Sequence, residues 1–319
     1  MRAASRWRAG AGRARGLEAV GAARYGSRMP PGVRQGREAR MLRRVFLGMA
    51  LALGVVWAGL PAAAGAEQRA ELLEALRLPE LIEIMRSEGL DHGAEIGESL
   101  LGPRDGPGWA ATVAAIYGRE RMLGIMTERL ETELASAEAE VAAMLGFFAS
   151  GQGQRLVELE ISARRAMLDP EIEAAARDRW AEMAEDGGER VEALRRFADV
   201  ADLIEANVVG GLNSTYAFYI GLMDGELRGG WVGRGEVLAD VMAQEPEIRT
   251  EIEEWLFAYL SLAYGPVGAA DLDAYIAFFE TPAGERLNVA LFAAFHEMFE
   301  TLSRDLGLAA GRILMAEDI

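Results

Sequence analysis

The chain has 319 residues, of which 51% are hydrophobic and 26% are charged, and this is the composition of a folded protein. It contains no cysteine, only two histidines and no lysine, because all 33 basic residues are arginine. These absences exclude disulfides, thiolate nucleophiles and Schiff-base lysines, and they argue strongly against a metal site built from several histidines. The sequence therefore predicts no cofactor, and it favours a protein that is not an enzyme.

Charge is distributed very unevenly along the chain. Residues 1–66 contain twelve arginines and two acids, a net charge of +10, whereas residues 67–319 contain 21 arginines and 48 acids, a net charge of −27. A body with that much negative charge repels nucleic acids and anionic membranes, so neither is predicted as a partner. The simplest interpretation of the acidic surface is solubility.

The first 40 residues are rich in arginine, glycine and alanine and show no apolar periodicity. Translation that begins at Met41 would make 1–40 a mis-assigned start, with upstream sequence read as protein. A disordered basic segment or an arginine-rich transit peptide would also have this composition. All three interpretations stay open.

Residues 41–66 have the three parts of a secretory signal peptide. They contain a short cationic start, an uncharged and mostly apolar run over Val45–Leu60, and an A-x-A cleavage site that ends at Ala66. The apolar run is short for a membrane span. The sequence therefore predicts export to the periplasm, cleavage after Ala66 and no stable membrane span afterwards. Arg43 and Arg44 leave both the general secretion route and the twin-arginine route open.

Apolar residues recur at helical spacing through the rest of the chain, and no convincing run alternates as a β-strand would. A wide apolar stripe includes Ile248, Ile252, Trp255, Leu256 and Tyr259. The pattern predicts an all-α protein with two tandem, duplicated helical bundles packed together. The first repeat covers 67–186 and the second covers 187–319, with the break at Asp186-Gly187-Gly188.

The prediction of duplication depends on a repeated motif, F-F-x-[ST]-x-x-G-[QE]-R-L, at 147–156 and again at 278–287, an offset of 131. Two shorter matches share an offset of 122: Leu81-Ile82-Glu83 with Leu203-Ile204-Glu205, and Trp109 with Trp231. Each copy is predicted to contain a helix, a glycine-rich loop, a long helix, a short helix with the phenylalanine pair and a further helix. The extra residues of the second copy are placed in an enlarged turn at 264–268.

The motif and the tryptophans also supply the candidate binding residues, which are Arg155, Arg286, Trp109 and Trp231. The arginines would either pair with an acid or cap a neighbouring helix end, or they would clamp a carboxylate ligand. The simpler interpretation of the tryptophans is that they fill the core. Ser150 and Thr281 are predicted to cap the helices that follow them.

Each of the two histidines lies in a motif that partly resembles a metal site. His92 and Glu95 have the spacing of two ligands on one helix face, but glycines lie between and around them, which favours a surface turn. His296 begins an H-E-x-x sequence that lacks the second histidine of a zinc protease, so an ordinary position on a helix face is predicted. The sequence predicts no metal site.

The second copy resembles domain-of-unknown-function family 2059 over about 250–305. The resemblance is carried by Phe278, Phe279, Thr281, Pro282, Gly284 and Leu287. The first copy, over about 110–170, is more weakly similar because Gly151 replaces the proline. Membership would imply an exported, all-helical bacterial protein, and the family supplies no catalytic residues to transfer.

These observations favour a periplasmic, non-enzymatic module that binds or scaffolds an envelope protein or a small ligand. One alternative is a carboxylate-dependent hydrolase or lyase, which would need a pair of buried acids in a cleft. Another is a carrier of a small apolar ligand that uses an aromatic stripe, although core packing explains such a stripe more simply. The stripe comprises Phe278, Phe279, Phe292, Phe295 and Phe299.

Overall fold

A computed structural model of the protein describes residues 63–102, 106–225 and 233–316. Across these ranges the chain is almost entirely helical and contains no β-strand, which confirms the predicted all-α class. Residues 1–40, most of the predicted signal peptide and Trp231 lie outside the described residues. None of the described helices is both long enough and apolar enough to cross a membrane.

The helices fall into two series of six that are joined by one connecting helix. The first series comprises α1 (Ala63–Ala75), α2 (Leu78–Ile96), α3 (Pro107–Ile116), α4 (Arg119–Leu134), α5 (Glu138–Phe148) and α6 (Gly151–Ala166). The connecting helix is α7 (Pro170–Asp186). The second series comprises α8 (Glu189–Val200), α9 (Leu203–Gly225), α10 (Arg234–Met242), α11 (Glu245–Tyr264), α12 (Ala269–Phe279) and α13 (Pro282–Met315). A π-helical turn, Gly97–Leu101, follows α2.

Corresponding helices of the two series have similar lengths, apart from the last. Both α5 and α12 have 11 residues, and their starts differ by the predicted 131 positions, from 138 to 269. The second helix of each series follows a residue with left-handed backbone, Arg77 at φ 47° and Asp202 at φ 48°. Helices α2 and α9 begin at 78 and 203, so their starts differ by 125 positions and not by the 122 positions of the two shorter sequence matches.

The extra residues of the second series lie mostly within a helix. The starts of α4 and α11 differ by 126 positions and those of α5 and α12 by 131, so five residues are added between them. Four of the five lengthen the helix, from 16 residues in α4 to 20 in α11, and one lengthens the turn at 265–268, where the enlarged turn was predicted. The long helix predicted after the glycine-rich loop of the first copy is two helices, α3 and α4, which Tyr117 and Gly118 separate. That break is a short turn without proline, which explains why the sequence pattern did not reveal it.

The two series pack together reciprocally. Helix α6 packs on α11, and α13 packs on α4, so the sixth helix of each series contacts the fourth helix of the other. The rings of Phe147 and Phe278 stack between the series, with centroids 4.6 Å apart. Buried apolar side chains from both series form one continuous core.

Helices α9 and α13 run parallel with their backbones in direct contact. A Cβ atom on Gly221 would lie 2.0 Å from the carbonyl oxygen of Arg304, and one on Gly307 would lie 2.0 Å from that of Phe218. Only glycine allows so close an approach, and this explains why glycines interrupt two otherwise favourable helices.

The predicted helix caps are confirmed. The Oγ of Ser150 accepts a hydrogen bond from the backbone N–H of Gly153 (3.2 Å), and the Oγ1 of Thr281 accepts one from Gly284 (3.1 Å). Gly284 also meets the preceding turn, because a Cβ there would lie 2.2 Å from the carbonyl oxygen of Phe278. The repeated motif therefore fixes a tight helix-to-helix corner.

Candidate functional site

A cleft of about 90 Å³ lies where the first series, α7 and the second series meet. We call it the junction cleft. Its lining residues are Glu88, Asp91, His92 and Glu95 from α2, Met167, Leu168, Pro170 and Glu173 from the start of α7 and the turn before it, and Trp255 from α11. Four of these nine side chains are carboxylates.

Helix α2 presents one polar face to the cleft because Glu88, His92 and Glu95 recur at helical spacing. A second face carries Gly89 and Gly93, against which side chains of the first series pack. A Cβ on Gly89 would lie 2.2 Å from the ring of Tyr117, and one on Gly93 would lie 2.3 Å from Val113. The glycines therefore allow close packing and do not end the helix.

The prediction that His92 lies in a surface turn is wrong. His92 is helical and only 4% exposed. The glycines that suggested a turn are accommodated because tertiary packing compensates for their low helix propensity. His92 and Glu95 do reach a common surface, as their spacing suggested, and both line the junction cleft.

A buried ion pair forms the floor of this region. Arg164 on α6 is 1% exposed and donates two hydrogen bonds to Glu88, from Nε to Oε1 (2.8 Å) and from an Nη to Oε2 (2.6 Å). Its guanidinium lies over the ring of Trp255, 5.1 Å from the centroid. Burial raises the pKa of Glu88, Arg164 counteracts the rise, and the charges of Asp91 and Glu173 add to it. Two-point hydrogen bonding of this kind fixes both side chains in place.

Carboxylates outnumber arginines around the junction cleft. Arg164 balances Glu88, and Arg177 pairs with Glu173 at 2.9 Å. Asp91 and Glu95 add two further carboxylates to the same wall. The surface therefore favours a positively charged occupant, whose apolar part would meet Met167, Leu168 and Trp255.

A second ionisable cluster lies deeper, one helical turn from Arg164. Glu160 has no exposed surface, and its Oε1 accepts hydrogen bonds from the hydroxyls of Tyr264 and Tyr275, the latter at 2.8 Å. The hydroxyl of Tyr259 donates to the backbone oxygen of Glu160 at 3.3 Å. Burial raises the pKa of Glu160 well above the usual range, although the two tyrosine hydrogen bonds lower it in part.

The candidate binding residues named from the sequence have different surroundings in the structure. Arg286 caps a neighbouring helix end by donating to the backbone oxygen of Glu133, near the end of α4. Arg155 is exposed, and the two arginines are therefore used differently. Trp109 is 2% exposed and its Nε1 donates to the carbonyl oxygen of Gly93 at 2.8 Å, as a core residue would. Trp231 lies outside the described residues.

The remaining histidine, His296, and the aromatic stripe both make contacts inside the fold. His296 lies part-buried on α13, and its Nε2 is 2.9 Å from the carbonyl oxygen of Ala206. The five phenylalanines of the stripe are all buried in the core. Within the described ranges, no group of three or more histidine, aspartate or glutamate side chains is arranged to hold a metal ion.

Sequence reasoning missed Glu88, Glu160 and Arg164. A signal for two of them was present, because Glu160 and Arg164 continue the helical stripe of Leu156, Val157 and Ile161. A charged residue on the apolar stripe of a helix is buried with it and needs a partner. The partners come from distant parts of the chain, so the sequence does not identify them.

Comparisons of the chain with protein families, with curated proteins and with solved structures gave no significant match. The resemblance to family 2059 therefore stays a prediction that depends on the motif at 278–287.

Proposed function

We propose that this protein is an exported, periplasmic, non-enzymatic binding module of the cell envelope, and that its ligand occupies the junction cleft. The observation that carries the proposal is the composition of this cleft, in which four carboxylates and a tryptophan face one small volume. Small-ligand sites are commonly concave surfaces with a few converging polar groups. The cleft has that form, and its walls come from both series.

Duplication of a six-helix unit is part of this proposal. Its support is the matched order of the helices, the equal lengths of α5 and α12, and the left-handed residues Arg77 and Asp202 before the second helix of each series. Phe147 and Phe278 occupy equivalent motif positions and stack on one another. In this interpretation the cleft arose where two copies and their connecting helix meet.

The chemistry of the lining favours a small organic cation as the ligand. Asp91 lines the cleft as a carboxylate outside the ion pairs of Glu88 with Arg164 and of Glu173 with Arg177. Trp255 contributes apolar surface to the wall, and its ring is already covered by the guanidinium of Arg164 and stacked with Tyr259. A volume of about 90 Å³ accommodates a small head group, and ammonium groups bind favourably to carboxylates.

The test is calorimetric titration of the chain with propylammonium and tetramethylammonium chloride, with sodium acetate as the anionic comparison. We expect the cations to bind and acetate not to bind. Asp91→Asn should weaken cation binding by about fivefold because it removes the charge of a carboxylate that lines the cleft. The matched control is Glu120→Gln, whose carboxylate is 87% exposed and does not line the cleft. Equal effects of the two substitutions would refute the site.

A carboxylate-dependent hydrolase or lyase is the second candidate, because the pKa of Glu88 is raised by burial at a cleft that also holds Asp91. Against this candidate, Arg164 occupies both carboxylate oxygens of Glu88. Turnover of ester or glycoside substrates that Asp91→Asn abolishes, with cation binding unaffected, would favour the enzyme over the binding module.

Export is proposed from the segment 41–66 and is tested separately. Intact-mass and N-terminal analysis of the natural protein from a periplasmic fraction should find a chain that begins at Glu67. A peptide from residues 1–40 in the mature protein would contradict both the predicted start and the cleavage.

A further inference from the structure

Helix α7 is weakly attached to the rest of the molecule. Along its 17 residues, Ala176 is the one buried side chain, whereas the 12-residue α8 that follows buries four. Its main neighbour is α11 of the second series. A helix with so little buried apolar area gains little stability from packing.

The contacts that hold α7 on α11 are mostly polar and lie near the surface. Arg177 pairs with Glu251 at 2.8 Å and with Glu254 at 3.2 Å. Trp180 stacks on Phe257, with ring centroids 4.7 Å apart, and both rings are only partly buried. Partly exposed ion pairs contribute little net stability, so these contacts can be broken without disrupting the core.

Both ends of α7 are suited to movement. Gly187 and Gly188, directly after the helix, have φ values of 72° and 107°, which are accessible to glycine at low cost, and no other group lies within 4 Å of where their Cβ atoms would be. At the other end, Leu168 and Pro170 are exposed. Those two residues and Glu173 also form one wall of the junction cleft.

We infer that α7 is a strap that separates from α11 while the core stays folded, and that this movement opens the junction cleft to its ligand. Movement of α7 would carry away Leu168, Pro170 and Glu173 and leave the wall formed by α2 and Trp255 in place. A bound cation would close the strap because it contacts both walls. This inference rests on the proposed function for its ligand, but the opening of the strap can be measured without one.

The experiment uses the absence of native cysteine, which allows a single introduced thiol to report on one position. Ala176→Cys places the thiol under the strap, and Ser261→Cys places one in α11 at the same exposure of 6%. We expect a methanethiosulfonate reagent to modify Ala176→Cys at least about tenfold faster than Ser261→Cys, because the strap opens locally. Adding Arg177→Gln to Ala176→Cys should raise the rate about fivefold. Arg196→Gln, which removes an exposed ion pair with Asp273, should leave it unchanged.

Equal modification rates for Ala176→Cys and Ser261→Cys would overturn the strap, because α7 would then open only when the whole protein unfolds. Saturating propylammonium should slow modification of Ala176→Cys. Binding of propylammonium without slower modification would overturn the gating and leave the proposed function standing. Fast modification in a protein that binds neither cation would support the strap and overturn the proposed ligand.

Discussion

The protonation state of Glu160 is coupled to folding. It lies fully buried on α6, and its Oε2 has no hydrogen-bond partner among the described residues. The groups that face it are the hydroxyls of Tyr264 and Tyr275, with Tyr259 and Arg164 nearby. A charged carboxylate without a cation partner is costly in such a place, so the folded protein keeps Glu160 neutral.

The first prediction is that the protein loses stability as the pH rises. The pKa of Glu160 is raised above 4.5 in the folded state, so the folded protein keeps a proton that the unfolded chain has released. The free energy of unfolding should therefore fall by up to about 1.4 kcal/mol for each pH unit as the pH rises above 4.5, until it passes the folded-state pKa of Glu160. Glu160→Gln should flatten this dependence, as measured by urea unfolding across the range.

Glu158→Gln is the matched control, because Glu158 lies on the same helix but is exposed. It should leave the pH dependence as it is in the natural protein. Burial lowers the pKa of His296 below 6.5, and this contribution cancels because it is the same in the natural protein and in both variants. A Glu160→Gln protein with the natural pH slope would contradict the assignment.

At the scale of elements, the parallel pair α9 and α13 depends on backbone contact at Gly221 and Gly307. We predict that Gly307→Ala destabilises the protein by about 2–4 kcal/mol, because its methyl group would press on the carbonyl oxygen of Phe218 and force the helices apart. Thermal or urea unfolding measures the effect.

The control for this substitution is Gly124→Ala in α4, where no atom lies within 4 Å of the new Cβ. That change should stabilise the protein by about 0.5–1 kcal/mol, because alanine has the higher helix propensity. If Gly307→Ala were equally harmless, the close approach of α9 and α13 would be wrong.

Features formed by neighbouring residues could be predicted from the sequence, whereas features formed by residues far apart in the chain could not. Ser150 and Thr281 were identified as caps because the cap, the proline or glycine after it and the next helix are neighbours in the chain. The helical position of His92 was not predicted because the side chains that pack on its neighbouring glycines, Tyr117 and Val113, lie at least 20 residues away in the chain. The junction cleft was not predicted at all, since its walls come from α2, α7 and α11.

At the scale of the whole molecule, the continuous core predicts one cooperative unfolding transition. The apolar side chains of both series belong to that core, so neither series can unfold and leave the other intact. Circular dichroism and tryptophan fluorescence should therefore give coincident urea transitions. Two separated transitions would show that the series fold independently. Arg177→Gln should leave this coincidence unchanged, because the ion pairs of Arg177 lie near the surface and its side chain is not part of the core.

The exchange of contacts between α6 and α11 and between α13 and α4 also has a consequence for proteolysis. A protease that cuts the exposed peptide between Gly187 and Gly188 would break the only covalent link across this boundary. The two pieces would still be held together by the contacts of α6 with α11 and of α13 with α4. The clipped protein should therefore migrate as one particle on a sizing column and separate into two fragments only in denaturant.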